Sequence, residues 1–109
     1  MNDYNKKYFL FGNKVKELRV EKNYIQRQLA EQLEIDIPMY SKIELGIRRA
    51  KRSQVIKLAE FLQADTKEML SIWLADNVLD SVRSDMDLFP DATHLAQEAI
   101  KMRKIDQEG

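Results

Sequence analysis

Residues Gln26 to Leu45 read QRQLAEQLEIDIPMYSKIEL, and this stretch decides the fold. Apolar residues fall at Leu29, Leu33, Ile35, Tyr40 and Ile43. The first pair and the last pair are helical spacings. The periodicity breaks from Glu34 to Asp36, so two short helices joined by a tight turn are expected. Ala30 is small and sits where the two helices come closest. Asp36 can accept a hydrogen bond from the free N–H groups that open the second helix. Pro38 falls within that helix's first turn, where a missing N–H does no harm.

The run LAEQLEIDIPMYSKIELG resembles the phage-repressor type of helix-turn-helix, the Cro or xenobiotic-response-element family. The resemblance extends from about Phe11 to about Asp65. Its landmarks are Leu29-Ala30, Ser41-Lys42-Ile43-Glu44, Gly46 and Leu58-Ala59. It implies an all-α fold: a five-helix domain of the lambda-repressor kind, here with an extended fifth helix and a further C-terminal helix. It also implies a transcription regulator that binds double-stranded DNA.

Two departures from the family pattern bear on that reading. The family's turn usually holds Gly in a left-handed backbone; here it is Glu34, at a cost on the order of 1 kcal/mol. The base-reading positions of the third helix are commonly polar; here they are Ile37, Pro38, Met39, Ser41 and Lys42. Ile37 and Pro38 cannot hydrogen-bond a base edge through their side chains, although Ile37 can touch a thymine methyl. Lys42 can donate to guanine or to a phosphate. Specificity then rests on few direct contacts plus DNA shape.

Gly46 suits a helix C-cap. After it comes IRRAKRS, with four positive charges in five residues from Arg48 to Arg52. Such runs are usually solvated loops; this one directly follows the expected recognition helix. By the resemblance, Arg49 and Arg52 are phosphate contacts with Arg48 and Lys51 nearby, and Gln26 is another at the start of the second helix. The resemblance also pairs Arg19, late in the first helix, with Glu44, which closes the recognition helix. The plainer reading of that pair is a surface ion pair worth under about 1 kcal/mol.

Charge is distributed to match. Formal net charge is +0 over 109 residues, yet the chain up to Leu58 holds thirteen basic and seven acidic residues, a surplus of six, and the remainder carries the opposite surplus. A local positive field serves a phosphate backbone regardless of overall neutrality.

The expected order is an arm over residues 1–9, the DNA-binding domain over 10–66 and a helical extension over 67–109. Helices are expected at about Leu10–Lys22, Gln26–Leu33, Asp36–Leu45, Ser53–Leu62, from the Asp65 cap to about Arg83, and at about Asp91–Lys104. Asn23 is a plausible stop for the first, and Ile25 replaces the usual Ser or Thr cap of the second. Leu88, Phe89 and Pro90 form the break before the last. The fifth helix is apolar on more than one face, with Trp73, Leu74, Val78, Leu79 and Val82 among its residues. Trp73 is expected to be buried. The outward face either packs on the last helix within one subunit or forms a homodimer interface. The dimer is the favoured reading, because two recognition helices must sit roughly 34 Å apart to read a palindrome.

Other functions find little in the sequence. There is no Cys and a single His, His94, so no thiolate or histidine metal site, no cofactor and no enzymatic constellation is expected. No apolar run is long enough for a membrane span, and a cytoplasmic protein is expected. An antitoxin that represses its own operon and grips a toxin remains an alternative, as does use of the apolar reading face for protein binding.

Overall fold

The computed structural model describes residues 6–108, and side chains from Lys6 to Lys104. Residues 1–5 of the expected arm lie outside the described residues. Six α-helices follow one another: α1 (Phe9–Glu21), α2 (Gln26–Leu33), α3 (Ile37–Glu44), α4 (Arg52–Leu62), α5 (Thr66–Ser81) and α6 (Phe89–Glu108). A short 3-10 turn, Met86–Leu88, runs directly into α6. The fold is the expected all-α one, and no strand occurs among the described residues. No helix there is long and apolar enough to cross a membrane.

Local chemistry explains most boundaries. Asp36 caps α3, its carboxylate accepting from the Met39 N–H at 2.7 Å, and Asp65 caps α5 in the same way from the Glu68 N–H at 3.0 Å. The caps of α2 and α4, Ile25 and Lys51, offer no side-chain acceptor. There a Gln three residues on turns back instead: Gln28 Oε1 accepts from the Ile25 N–H at 2.9 Å, and Gln54 Oε1 from the Lys51 N–H at 2.8 Å. This second half of a capping box starts α4 at Arg52, one residue before the expected Ser53. Helix α6 starts at Phe89 rather than Asp91, because Pro90 is accommodated in its first turn. Phe9, expected in the arm, is the first residue of α1.

Three helices end on left-handed residues that are not glycine: Asn23, Glu34 and Gln63, with φ of 61°, 56° and 54°. Glu34 is where the sequence placed it, in the turn between α2 and α3.

Helices α2 and α3 pack on each other, α1 closes over α3, α4 crosses α2, and α5 lies against α4 and α1. Their shared core includes Phe11, Val15, Leu29, Ala30, Leu33, Tyr40, Ile43, Val55, Leu58, Leu62, Met69 and Trp73. The Tyr24 and Phe61 rings, 4.7 Å apart, join the turn after α1 to α4. Two glycines permit close approaches. A Cβ on Gly12 would lie 2.5 Å from the Glu44 carbonyl oxygen, so α1 meets the end of α3 backbone to backbone. Gly46, at φ +81°, would place a Cβ 2.8 Å from the Phe9 Cα.

Helix α6 stands apart. Its main packing partner is the 3-10 turn before it, and its described side chains are exposed except for the half-buried Thr93. The radius of gyration, 16.3 Å, exceeds the roughly 13 Å of a compact chain of this length. Of the two readings for the last helix, packing along the fifth within one subunit is not what the fold contains.

Glu34→Gly and Gln63→Gly should each raise stability by about 0.5–1 kcal/mol, because glycine relieves the left-handed strain. Gly12→Ala should lower it by about 2 kcal/mol or more, since the new Cβ meets backbone that cannot rotate away. Urea midpoints at constant m-value test all three.

Candidate nucleic-acid interface

Helix α3 has two unlike faces. Tyr40, Ile43 and Glu44 are buried, whereas Ile37, Pro38 and Lys42 are exposed and Ser41 is half-buried. Ile37, Pro38, Ser41 and Lys42 thus share the outward face of one helix, fixed by burial of the other. Ile37 is 39% exposed, a large apolar side chain held in water.

What sets this helix is the ion pair. Arg19 Nη2 donates to Glu44 Oε1 at 2.7 Å and Arg19 Nε to Glu44 Oε2 at 3.0 Å. Arg19 Nη1 donates in addition to the Tyr24 carbonyl at 3.0 Å. The Glu44 residue is only 4% exposed. Arg19 is half-buried, and a forked pair with its carboxylate out of water fixes geometry in a way a surface pair does not, so the plainer surface reading fails. Burial, the largest single influence, would push the Glu44 carboxyl up; the bonds and charge of Arg19, together with Tyr40 and Gln26, outweigh it and hold Glu44 below the usual carboxylate range. The same bonds raise Arg19. Tyr40 lies beside the pair, with its hydroxyl buried; burial, reinforced by the Glu44 charge, pushes that hydroxyl well up.

Gln26 is half-buried, and its Nε2 reaches Glu44 Oε1 at 3.4 Å, a long hydrogen bond. It stands at the start of α2, next to a cap with no side-chain acceptor.

The basic loop divides. Arg48, Lys51 and Arg52 are exposed, and Arg52 opens α4, whose first turn carries no acidic residue. Arg49 is different. Its guanidinium carbon lies 3.8 Å from the centroid of the Trp73 ring, and its Nε is buried with no hydrogen-bond partner.

Trp73 is buried, as expected, but within its own chain: its indole N–H donates to the Ala50 carbonyl at 2.8 Å. The other α5 residues expected at an interface remain accessible to different degrees. Leu74 and Val78 are exposed; Leu79 and Val82 are half-buried. With Leu10, Ser71, Ala75 and Phe89, three of them (Leu74, Val78 and Leu79) line a shallow apolar groove. His94 is exposed.

One residue escaped the sequence reading. Asp76 is buried, and its two carboxylate oxygens accept from the Leu10 and Phe11 N–H groups, each at 3.0 Å. It caps α1 from 66 positions away, where Tyr8 provides no side-chain cap. Burial pushes the Asp76 carboxyl up despite these bonds and the nearby Arg49 charge. An acid one helical turn beyond Trp73, on the same side of an otherwise apolar stretch, was the available signal. Among the described residues no cluster of three or more His, Cys, Asp or Glu could hold a metal ion.

Comparison with known families matches residues 15–69 to the family described as Helix-turn-helix, just over half of the chain. No curated protein and no solved structure matches it.

Arg19→Met should cost about 3 kcal/mol at neutral pH, because it leaves Glu44 buried without its partner. The sign of the pH dependence follows from the direction of the Glu44 shift. Its stabilising share is full above the unfolded carboxyl value and is lost as pH falls through the lower folded value. Without Arg19 the strongest influence opposing burial is gone, and that value rises. Wild type should therefore lose stability on acidification while the variant's deficit shrinks. Thermal melts from neutral to acidic pH measure both.

Proposed function

This chain belongs to the helix-turn-helix family of the phage-repressor type and is a DNA-binding transcription regulator; on that premise we propose that it acts as a homodimeric repressor on a palindromic operator. The observation that carries the proposal is the outward face of α3, held by the buried Arg19–Glu44 pair beside the exposed Arg48, Lys51 and Arg52. Ser41 and Lys42 supply polar contacts to base edges, and Ile37 and Pro38 supply apolar ones, Ile37 to a thymine methyl. With so few donors, sequence-dependent DNA shape carries much of the discrimination.

Phosphates are met by Arg48, Lys51 and Arg52, and by Gln26 at the opening of α2. The starts of α2 and α4 both lack a side-chain acceptor cap, which leaves their N–H groups to favour an anion.

Dimerisation is supported by the second half of the chain. Leu74, Val78, Phe89, Leu95, Ile100 and Met102 are all exposed. Met86 and Leu88 are exposed as well, and a stable interface needs about 800 Å² from each partner. Helix α6 packs mainly on the 3-10 turn before it, whereas most helical stability in proteins comes from tertiary packing, and a second subunit would supply the missing face. The interface falls on Leu74, Val78, Leu79 and Val82 with α6, whereas Trp73 serves its own chain. The same exposed α6 stripe supports the alternative of an antitoxin whose operon repression is joined to toxin binding. Co-purification of a stoichiometric small partner from the native host would favour that reading over the simple homodimer.

Binding to the protein's own upstream region and to a scrambled duplex, measured across a salt series, tests the proposal. Six basic side chains per dimer should give a slope of log affinity against log salt of about −5. The upstream region should bind at least about a thousandfold tighter than the scramble. Arg48→Ala with Arg52→Ala should flatten the slope by about 3 to 4 and weaken binding to both duplexes alike. An unchanged slope removes these residues from the contact set.

A further inference from the structure

We propose that Arg49 meets no phosphate and is instead a positioning residue, which with Trp73 latches the basic loop to α5 so that Arg48, Lys51 and Arg52 face the DNA. The inference deepens the DNA-contact reading above and rests on it.

Four contacts surround the loop between α3 and α4. The Gly46 carbonyl accepts from the Tyr8 N–H at 3.0 Å, and Gly46 itself abuts the start of α1. The Ala50 carbonyl accepts from the Trp73 indole N–H at 2.8 Å, and Ala50 is buried. Between these anchors, the Arg49 guanidinium carbon lies over the Trp73 ring, 3.8 Å from its centroid. That is well inside the range over which a cation is held by an indole face. Trp73 therefore grips two consecutive loop residues, one through its edge and one through its face.

The environment of Arg49 fits this role better than a groove contact. Its Nε is buried and has no hydrogen-bond partner. The carboxylate of Asp76, one turn along α5, lies near enough to feel its charge. The unpaired Nε is a cost of that position, which the Trp73 ring and the Asp76 charge offset. Its neighbours Arg48, Lys51 and Arg52 are exposed. A loop this short cannot turn all four side chains one way, and the one turned inward fixes where the others point.

The chain contains a single Trp, so its fluorescence reports on the latch alone. Three measurements decide the matter: Trp73 emission with and without operator DNA, the salt slope of Arg49→Met, and a double-mutant cycle with Trp73→Phe. A positioning role predicts four results. DNA leaves the wild-type emission unchanged. Arg49→Met alters emission in the free protein and weakens binding roughly tenfold, while its salt slope stays within a few tenths of wild type. Arg49→Lys, which keeps a cation over the ring, recovers most of the affinity. The double variant is no weaker than the worse single one, as for residues acting through each other.

A slope flattened by about one per subunit in Arg49→Met, an emission change when DNA is added to wild type, or additive effects in the cycle would each make Arg49 a phosphate contact and overturn the proposal. Unchanged affinity in a folded Arg49→Met, checked by circular dichroism, would overturn it as well. If Arg49→Met does not fold, the wild-type emission titration decides alone. Failure of the wider reading looks different: wild type would then bind every duplex weakly, and Arg48→Ala with Arg52→Ala would change nothing.

Discussion

A carboxylate taken out of water has to be paired, and the domain is arranged around meeting that requirement at Glu44. The residue that closes the recognition helix is also the one least able to stand alone. Arg19 answers it with two parallel hydrogen bonds, and a third from the same guanidinium holds the turn after α1. Because the pair is buried, its directionality is not diluted by solvent. At Gly12 α1 meets the end of α3 backbone to backbone, and the ion pair ties the same two helices together. With both fixed, the outward face of α3 follows.

A second arrangement fixes the opposite end of the site. Helix α5 turns one stripe inward, Met69, Trp73 and Asp76. Apolar packing holds Met69. Trp73 takes the loop that follows α3, and Asp76 takes the open N-terminus of α1. A buried acid there is supported by two N–H groups and by the positive end of the helix dipole. The stripe thus ties together the two elements flanking α3 without touching α3's outer face. The outer side of the same helix carries Leu74 and Val78, so a partner docking there would press on the element that holds the loop.

Much of this was legible from residue types. The periodicity of Leu29, Leu33, Tyr40 and Ile43, the Asp36 and Asp65 caps and the Gly46 stop each act within one helical turn, and local chemistry suffices to read them. The Arg19–Glu44 pair was accessible only through family resemblance, since nothing local relates positions 25 apart. Its burial could not be read from sequence at all. Arg49 and Asp76 show where pattern reading stops. In a run of like charges, sequence does not say which side chain turns inward; that depends on Trp73, which arrives from a different helix. Asp76 went unread because its partners are main-chain groups, whose positions residue types do not reveal. The packing of α6 was equally illegible, for an apolar stripe specifies that a partner is needed and not which chain supplies it.

The contact from Asp76 to α1 has a consequence for the order in which the molecule can be made. During synthesis the first helix emerges early, yet the group that satisfies its leading N–H donors is 66 residues further along the chain. The grip on the basic loop arrives at about the same point, with Trp73. A nascent chain that has completed α3 therefore holds a recognition helix whose supports are not yet present. Such long-range closure is slow relative to helix formation. The contacts that support α1 and the basic loop are thus complete only once α5 has docked.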